Sequence, residues 1–434
     1  MKFRWWYILL LATPAAVVLW YLNRQGQFAG HFTDWVFWLS LVSLVAFAQL
    51  ASEVTENLSE FLTPVARGII TASFGNVPEL AIGAFLLIQA HNHPNVATTN
   101  FIIIRGLLIG SIINNVLFTL GIATFFGAFK HGKLRFDKNR AAGYASMLAL
   151  AVVGLALPTL ATDFAKDVGQ AAEENVSLIV AAILIISYIA YVGSEIFHWG
   201  DKRASAAVAA ASAIGPASAG HHAEHHTHED HEQHGKQHAE HQPTAEEREE
   251  IEAERRKAER EAKAQQRRRE NPGILLLSTL AFIVVTALVV GICFILVSVT
   301  NTVIVNTALT PLSTGLIIFP VICNIGEMLE AFSKSWGKNK DMEGAMDVAA
   351  GSSVQMPLFV TPLLVFFGYG VALLFGGQPL TLIFKQPLEL VVVALVTFVY
   401  ALVNLDGETT WLEGAQLLAF YTMIAVTAFA LPGQ

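Results

Sequence analysis

Charge is scarce in this chain. Asp, Glu, Lys and Arg make up 14% of its 434 residues, well below the roughly 25% of soluble globular domains, so a soluble globular fold is excluded. Cysteine is scarcer: Cys293 and Cys323 are the only two, both inside apolar stretches. They cannot build a disulfide framework, leave the redox compartment open, and read as small packing residues. No nucleophile–base set and no cofactor motif emerges, which leaves a membrane enzyme without support and predicts no cofactor. The formal net charge of −8 is modest and much of the charge sits in a central insert, so nucleic acid is not an expected partner.

What the chain has in quantity is apolar sequence, 54% of its residues. Runs long enough to cross ~30 Å of hydrocarbon recur throughout. The lipid bilayer is therefore the expected solvent, and the pattern predicts an all-α polytopic membrane protein with about eleven spans, near 5–22, 35–57, 62–90, 100–127, 140–160, 176–199, 273–300, 308–333, 343–367, 387–404 and 411–432. Lys2 and Arg4 before an apolar run resemble a signal peptide, but the run continues through Val18, Trp20 and Leu22 and reads as a retained span.

Basic residues alternate from loop to loop. Lys130, Lys133, Arg135, Lys138 and Arg140 share a side with Lys334, Lys338 and Lys340 and with the insert, whereas the 161–175 loop opposite is acidic through Asp163, Asp167, Glu173 and Glu174. This predicts a cytoplasmic N-terminus. It does not distinguish a bacterial inner membrane from a vacuolar or other endomembrane.

An internal repeat is more informative. Leu-Thr-Pro opens at Leu62 and again at Leu309; glycine follows the proline by four, at Gly68 and Gly315; Asn-x-x-Glu then arrives at Asn76–Glu79 and Asn324–Glu327, one residue out of step. Each motif is followed by a second helix opening on Gly-Ser, at Gly110-Ser111 and Gly351-Ser352, with an amide beyond it at Asn115 and Gln355. The chain divides into an N-terminal helix (1–30), a first five-helix repeat (31–199), a linker (200–272) and a second repeat (273–434). Five is odd, so the second copy enters the membrane from the opposite side. Inverted repeats characterise secondary transporters, whose substrate sites lie near the midplane between the copies.

An intramembrane carboxylate costs at least ~2.5–3.5 kcal/mol and calls for a partner or a task. Glu79 and Glu327 are the two that repeat. In each helix the Asn precedes the Glu by three residues and shares its face. Gly75 and Pro78 predict a helix break in the first copy, Pro78 offering no N–H to the carbonyl of Phe74. Freed carbonyls beside carboxylates are the hard oxygen ligands Ca²⁺ accepts in sets of about six to eight. Two carboxylates neutralise one divalent cation, or hold two protons in its absence, so Ca²⁺ and H⁺ would compete for one site and exchange across the membrane. A buried Glu alone is as often a structural residue, and Asn or Ser in a span is often interhelical glue; the duplication favours the functional reading.

At these residues the sequence resembles the calcium/proton exchangers of the CAX family, within the cation/calcium exchanger superfamily. GNVPELAIGAF at Gly75 is similar to the family's first Gly-Asn-x-x-Glu motif, LIGSIINNVLFTLG at Leu108 resembles its companion helix, and AAGSSVQMPLFVTPL at Ala349 resembles the second companion. The resemblance implies one extra N-terminal helix and two inverted five-helix repeats. It implies Glu79 and Glu327 as the metal and proton carboxylates, with Asn76, Asn324, Ser352, Gln355, Ser111 and Asn115 completing the site. The second motif departs from the family's Gly-Asn-x-x-Glu-His, since Cys323 and Met328 replace its glycine and histidine. The Val-Pro of the first motif resembles sodium/calcium exchangers, which keeps sodium coupling as an alternative; a passive cation channel on the same helices is another.

In the linker, His221, His222, His225, His226, His228, His231, His234, His238 and His241 form a tract, followed by a run from Thr244 to Arg269 rich in Glu, Arg and Lys. The tract reads as a solvated linker, or as an accessory collector of transition metals. Glu53, Glu56 and Glu60, and also Glu330, Glu343 and Asp347, are secondary candidates for drawing in cations. Arg67, Arg105 and Glu195 read as snorkelling or paired. Oligomeric state is not legible.

Overall fold

The computed structural model describes residues 5–26, 32–59, 61–62, 70, 75–164, 169–197, 272–384 and 387–430. The histidine tract from His221 to His241, the charged run after it, Glu60, Arg67 and Gly68 lie outside the described residues, as do the side chains of Glu56 and Glu195. Two compact units divide the chain. One comprises residues 1–192 with 274–434, and the other comprises 193–273, of which only 193–197 and 272–273 are described.

The first unit is helical and both repeats belong to it. After a 3₁₀ turn (Trp5–Leu11) and α1 (Ala12–Arg24) come α2 (Thr33–Ser59), α3 (Val77–Asn92) and α4 (Ala97–Ile113). A π-helical segment (Asn114–Thr119) carries α4 into α5 (Leu120–His131), followed by α6 (Lys138–Phe164) and α7 (Gln170–Phe197). The second copy begins with α8 (Pro272–Asn306). The short α9 (Pro311–Ser313), a π segment (Thr314–Ile318) and α10 (Phe319–Cys323) then lead to α11 (Ile325–Trp336). Next are α12 (Met342–Gln355), a third π segment (Met356–Val360), α13 (Thr361–Phe375), α14 (Pro387–Val403) and α15 (Trp411–Ala430).

Among the described residues eight helices are long and apolar enough to cross a membrane, and nine if the pair Pro311–Cys323 and Ile325–Trp336, bent by 52°, is one span. The count of eleven would also need the 16-residue α3 and the 17-residue α14, which are shorter. α3 begins after Asn76, and residues 63–69 and 71–74 before it lie outside the described residues.

Burial separates a core from a lipid-facing shell. In the span Pro94–His131, 78% of the most apolar window is buried, against 6% for Tyr7–Arg24. Ile183, Ile186, Leu276, Leu277 and Leu280 are exposed, as apolar side chains facing hydrocarbon should be. Where the repeats cross, side chains shrink to let backbones meet. A Cβ on Gly110 would strike the Leu316 carbonyl and Pro320, and one on Gly315 would strike the Ile103 carbonyl.

Loops gather on two faces. On one, β1 (Leu134–Arg135) pairs antiparallel with β2 (Glu408–Thr409), Lys130 Nζ donates to the Trp336 carbonyl at 2.7 Å, and Arg140 reaches Asp347 at 2.8 Å and Glu343 at 3.1 Å. We call this the ladder face. On the opposite face the buried stretch Leu380–Phe384 is tied down by side chains: Thr159 Oγ1 donates to the Leu382 carbonyl (3.3 Å) and accepts from Phe384 N (2.9 Å), while Ser177 Oγ accepts from Leu382 N (3.0 Å). Irregular backbone at this depth is tolerated only when its polar groups are satisfied in this way.

Candidate functional site

Both Asn-x-x-Glu motifs mark the start of a half-helix. Asn76 (φ −103°, ψ 18°) precedes α3, and Asn324 (φ −94°, ψ 10°) precedes α11. Each stands in the N-cap position with its Glu as third helical residue. That is the spacing of a capping pair, yet neither Asn side chain caps its helix. The amides are left for other partners. Gly75 lies in the turn before Asn76. Pro78 stands in the first turn of α3, where a missing N–H costs nothing. Phe74, whose carbonyl the sequence set opposite it, is outside the described residues.

The companion helices close on these breaks from the other repeat. Asn76 Nδ2 donates to Gln355 Oε1 (2.9 Å). Asn115 Nδ2 donates to Asn324 Oδ1 (3.1 Å) and to Glu327 Oε2 (3.0 Å), Ser352 Oγ donates to Glu327 Oε1 (2.8 Å), and Asn324 Nδ2 donates to Ser111 Oγ (3.2 Å) and the Pro320 carbonyl (2.8 Å). Seven of the eight ion-site residues therefore fall into two hydrogen-bonded groups, each bridging the repeats. The eighth, Glu79, is in neither group: it is fully buried, Asn324 lies beside it, and no donor among the described residues reaches either of its oxygens in hydrogen-bonding geometry. Glu327 lies within electrostatic range of Glu79 and is half-buried.

Carboxylate, amide, hydroxyl and backbone carbonyl oxygens make up this constellation, a donor set for a hard cation. Among the described residues no three His, Cys, Asp or Glu side chains converge on one point, so nothing here offers the nitrogen and sulfur cage that Zn²⁺ prefers. Cys293 packs its thiol 3.9 Å from the Pro78 carbonyl, and Cys323 ends α10 just before Asn324; both are buried.

Some residues of the network escape sequence reading. Asn114 Nδ2 (3.4 Å) and Thr119 Oγ1 (3.3 Å) both donate to Asn115 Oδ1; the i, i+4 spacing of Asn115 and Thr119 is the signal that could have found the second. Glu389 is 6% exposed inside the bundle and passes in the sequence for an acidic helix end. Arg105 donates to the carbonyl and hydroxyl of Thr381. Of the secondary candidates, Glu330 pairs with Lys334 at 3.1 Å on an exposed surface, and Glu343 and Asp347 are held by Arg140.

The Ca²⁺/H⁺ antiporter of Synechocystis sp. is 29% identical over 416 residues, covering 94% of this chain and 95% of that protein. The vacuolar calcium ion transporter of Schizosaccharomyces pombe is 28% identical over 94% of this chain and 82% of its own length. The solved structure of native YfkE superposes with a TM-score of 0.69 at 23% identity, covering 99% of this chain and 100% of that one. That of the H⁺/Ca²⁺ exchanger CAX gives 0.60 at 13% identity, covering 98% and 92%; the fold is shared with both. Residues 33–197 and 277–430, the greater part of both repeats, match the family described as sodium/calcium exchanger protein, and this integral membrane protein belongs to that family.

Proposed function

We propose that this chain is a secondary transporter that exchanges Ca²⁺ for protons by alternating access, with Glu79 and Glu327 as the carboxylates that both ions share. The observation that carries the reading is the meeting of the two Asn-x-x-Glu breaks, one from each repeat, with Asn115 of the first repeat bonded to both Asn324 and Glu327 of the second. The names of the Synechocystis and Schizosaccharomyces relatives point the same way.

The chemistry follows from charge. Two bare carboxylates inside a membrane-spanning bundle are costly, at least ~2.5–3.5 kcal/mol each. One Ca²⁺ cancels both charges, and so do two protons. A conformational change between the faces is therefore cheapest with one cargo or the other in place, which makes the exchange coupled. Asn76, Gln355, Ser352, Ser111, Asn115 and Asn324 orient the carboxylates and supply further oxygens. We assign the ladder face to the cytoplasm, because Lys130, Lys133, Arg135, Lys138 and Arg140 cluster there with Lys334, Lys338 and Lys340.

The deciding measurement is Ca²⁺ uptake into proteoliposomes under an imposed pH gradient with sodium absent. Uptake that follows the gradient is expected. Uptake requiring sodium would make the protein a sodium/calcium exchanger, and uptake indifferent to both gradients would make it a channel. Glu79→Gln and Glu327→Gln should each abolish exchange; a fully active single variant contradicts the shared site.

A further inference from the structure

Away from the ion site, one pair of opposite charges lies inside the bundle without joining. Glu389, near the start of α14, is 6% exposed and has no hydrogen-bond partner among the described residues. Arg105, in the middle of α4, donates from Nη2 to the Thr381 carbonyl (3.3 Å) and Oγ1 (3.2 Å), while its Nε has no acceptor. Each feels the other's charge, yet they form no ion pair. The other acid facing Arg105 is Glu173, from the first turn of α7. The other titratable group of α14, Tyr400, interacts instead with Asp347 and Tyr191.

A buried carboxylate and guanidinium at arm's length keep most of their desolvation cost and recover little of it; in contact they gain charge-assisted hydrogen bonds. Two arrangements of Arg105 can therefore be contrasted. In one it is held by Thr381, as here, and in the other by Glu389. The pair also spans the repeats, since Arg105 rides on the helix that carries Ser111, six residues and about 9 Å further along its axis. Thr381 and Glu389 belong to the stretch that closes the face opposite the ladder.

We propose that Glu389 is a proton-binding residue on that opposite face, and that its loading decides whether Arg105 is held by Thr381 or by Glu389, moving the helix that bears Ser111 between the exchanger's two conformations. The proposal rests on the Ca²⁺/H⁺ reading. With a proton on Glu389 the carboxyl is neutral and Arg105 keeps Thr381. When the proton leaves, the bare carboxylate draws the guanidinium across. Linkage makes this reciprocal, so acidity on the opposite face favours the arrangement seen here. Glu389 is thereby separated from the central carboxylates, whose protons compete with Ca²⁺.

The test is the rate of Ca²⁺ exchange in proteoliposomes as pH is varied on the opposite face alone. Glu389→Gln removes one protonation step. It is expected to make the pH–rate profile shallower and move its midpoint by about one unit, a tenfold change in proton concentration, with the KM for Ca²⁺ changed less than about twofold. Glu389→Asp and Arg105→Lys keep the charges in altered geometry and should displace the midpoint without flattening the profile. A wild-type profile in Glu389→Gln, or a lower maximal rate with the profile unmoved, overturns the proposal. If Glu389→Gln does not fold, unmoved profiles in the other two variants overturn it equally. Wild-type protein that shows no pH-driven uptake would instead sink the exchange reading itself.

Discussion

Asn115 carries more of the site than its place in the sequence suggests. It donates to Asn324 and Glu327 and accepts from Asn114 and Thr119, so its loss leaves several buried groups unsatisfied at once. A hydrogen bond to a charged group is worth ~1.5–3 kcal/mol. Asn115→Ala should therefore slow initial Ca²⁺ uptake roughly 10- to 100-fold. Ser352→Ala removes one donor to Glu327 and should cost less, and Thr119→Val, which touches Glu327 only through Asn115, less again. Asn115→Ala at the wild-type rate would take the cross-repeat network out of the mechanism. Glu79 and Glu327 are legible in the sequence because they repeat. Asn115 is legible more loosely, as the amide beyond Gly-Ser in a companion helix, since the two copies differ by one residue in that spacing. Arg105 and Glu389 are not legible as neighbours: neither has a counterpart in the other repeat, and a pairing between distant helices leaves no periodic trace.

At the scale of elements, the one-residue mismatch between the motif helices has a physical home. From Leu-Thr-Pro to Asn the second copy is one residue longer, and the π-helical segment Thr314–Ile318 lies within it, a turn that takes up an extra residue without ending the helix. The companion helices carry π segments as well, Asn114–Thr119, which contains Asn115, and Met356–Val360, which follows Gln355. Hydrophobic pattern reports that such a stretch is helical but not its winding, so these segments had no signature to read. Gly315 belongs to both stories: the repeat alignment marks it, and the structure shows why glycine is needed against Ile103. Gly110→Val and Gly315→Val should each force the repeats apart, at a cost of ~1–3 kcal/mol or more, seen as lost monodisperse protein and a lower melting temperature in detergent. Gly143→Ala, with open space around it, should behave as wild type. A Gly110→Val protein of normal stability and activity would show that the close crossing is dispensable.

For the whole molecule, charge and span parity predict which loops share a face, and the contacts agree: the loops around Leu134, Gly337 and Glu408 meet on the ladder face, while Thr159, Ser177 and Thr381 lie on the other. What sequence could not supply is how the ladder face is fastened. Leu134–Arg135 pairs with Glu408–Thr409, and Glu408 takes Lys133 and Arg135, each at 3.0 Å. The hydrogen bond and charge of Lys133, helped by Arg135, hold the Glu408 carboxyl below its ordinary range, and Glu408 holds the Lys133 ammonium above its own. The lowered carboxyl contributes fully above the ordinary carboxylate value of about 4.3 and loses its contribution as pH falls through the lowered one. The raised amine contributes fully below about 10.4 and loses its contribution as pH rises past the raised one. Between those limits the clip is insensitive to pH, so it cannot be the source of proton dependence in exchange near neutrality. Glu408→Gln should speed hydrogen exchange of the Leu134–Phe136 amides, and high salt should do the same to the wild type by screening the pair. Neither should move the pH–rate profile between about pH 6 and 8, a window lying wholly inside those limits. A profile displaced by Glu408→Gln would mean that this fastening reports on the proton after all, and the carboxylates buried in the bundle would lose their exclusive claim to it.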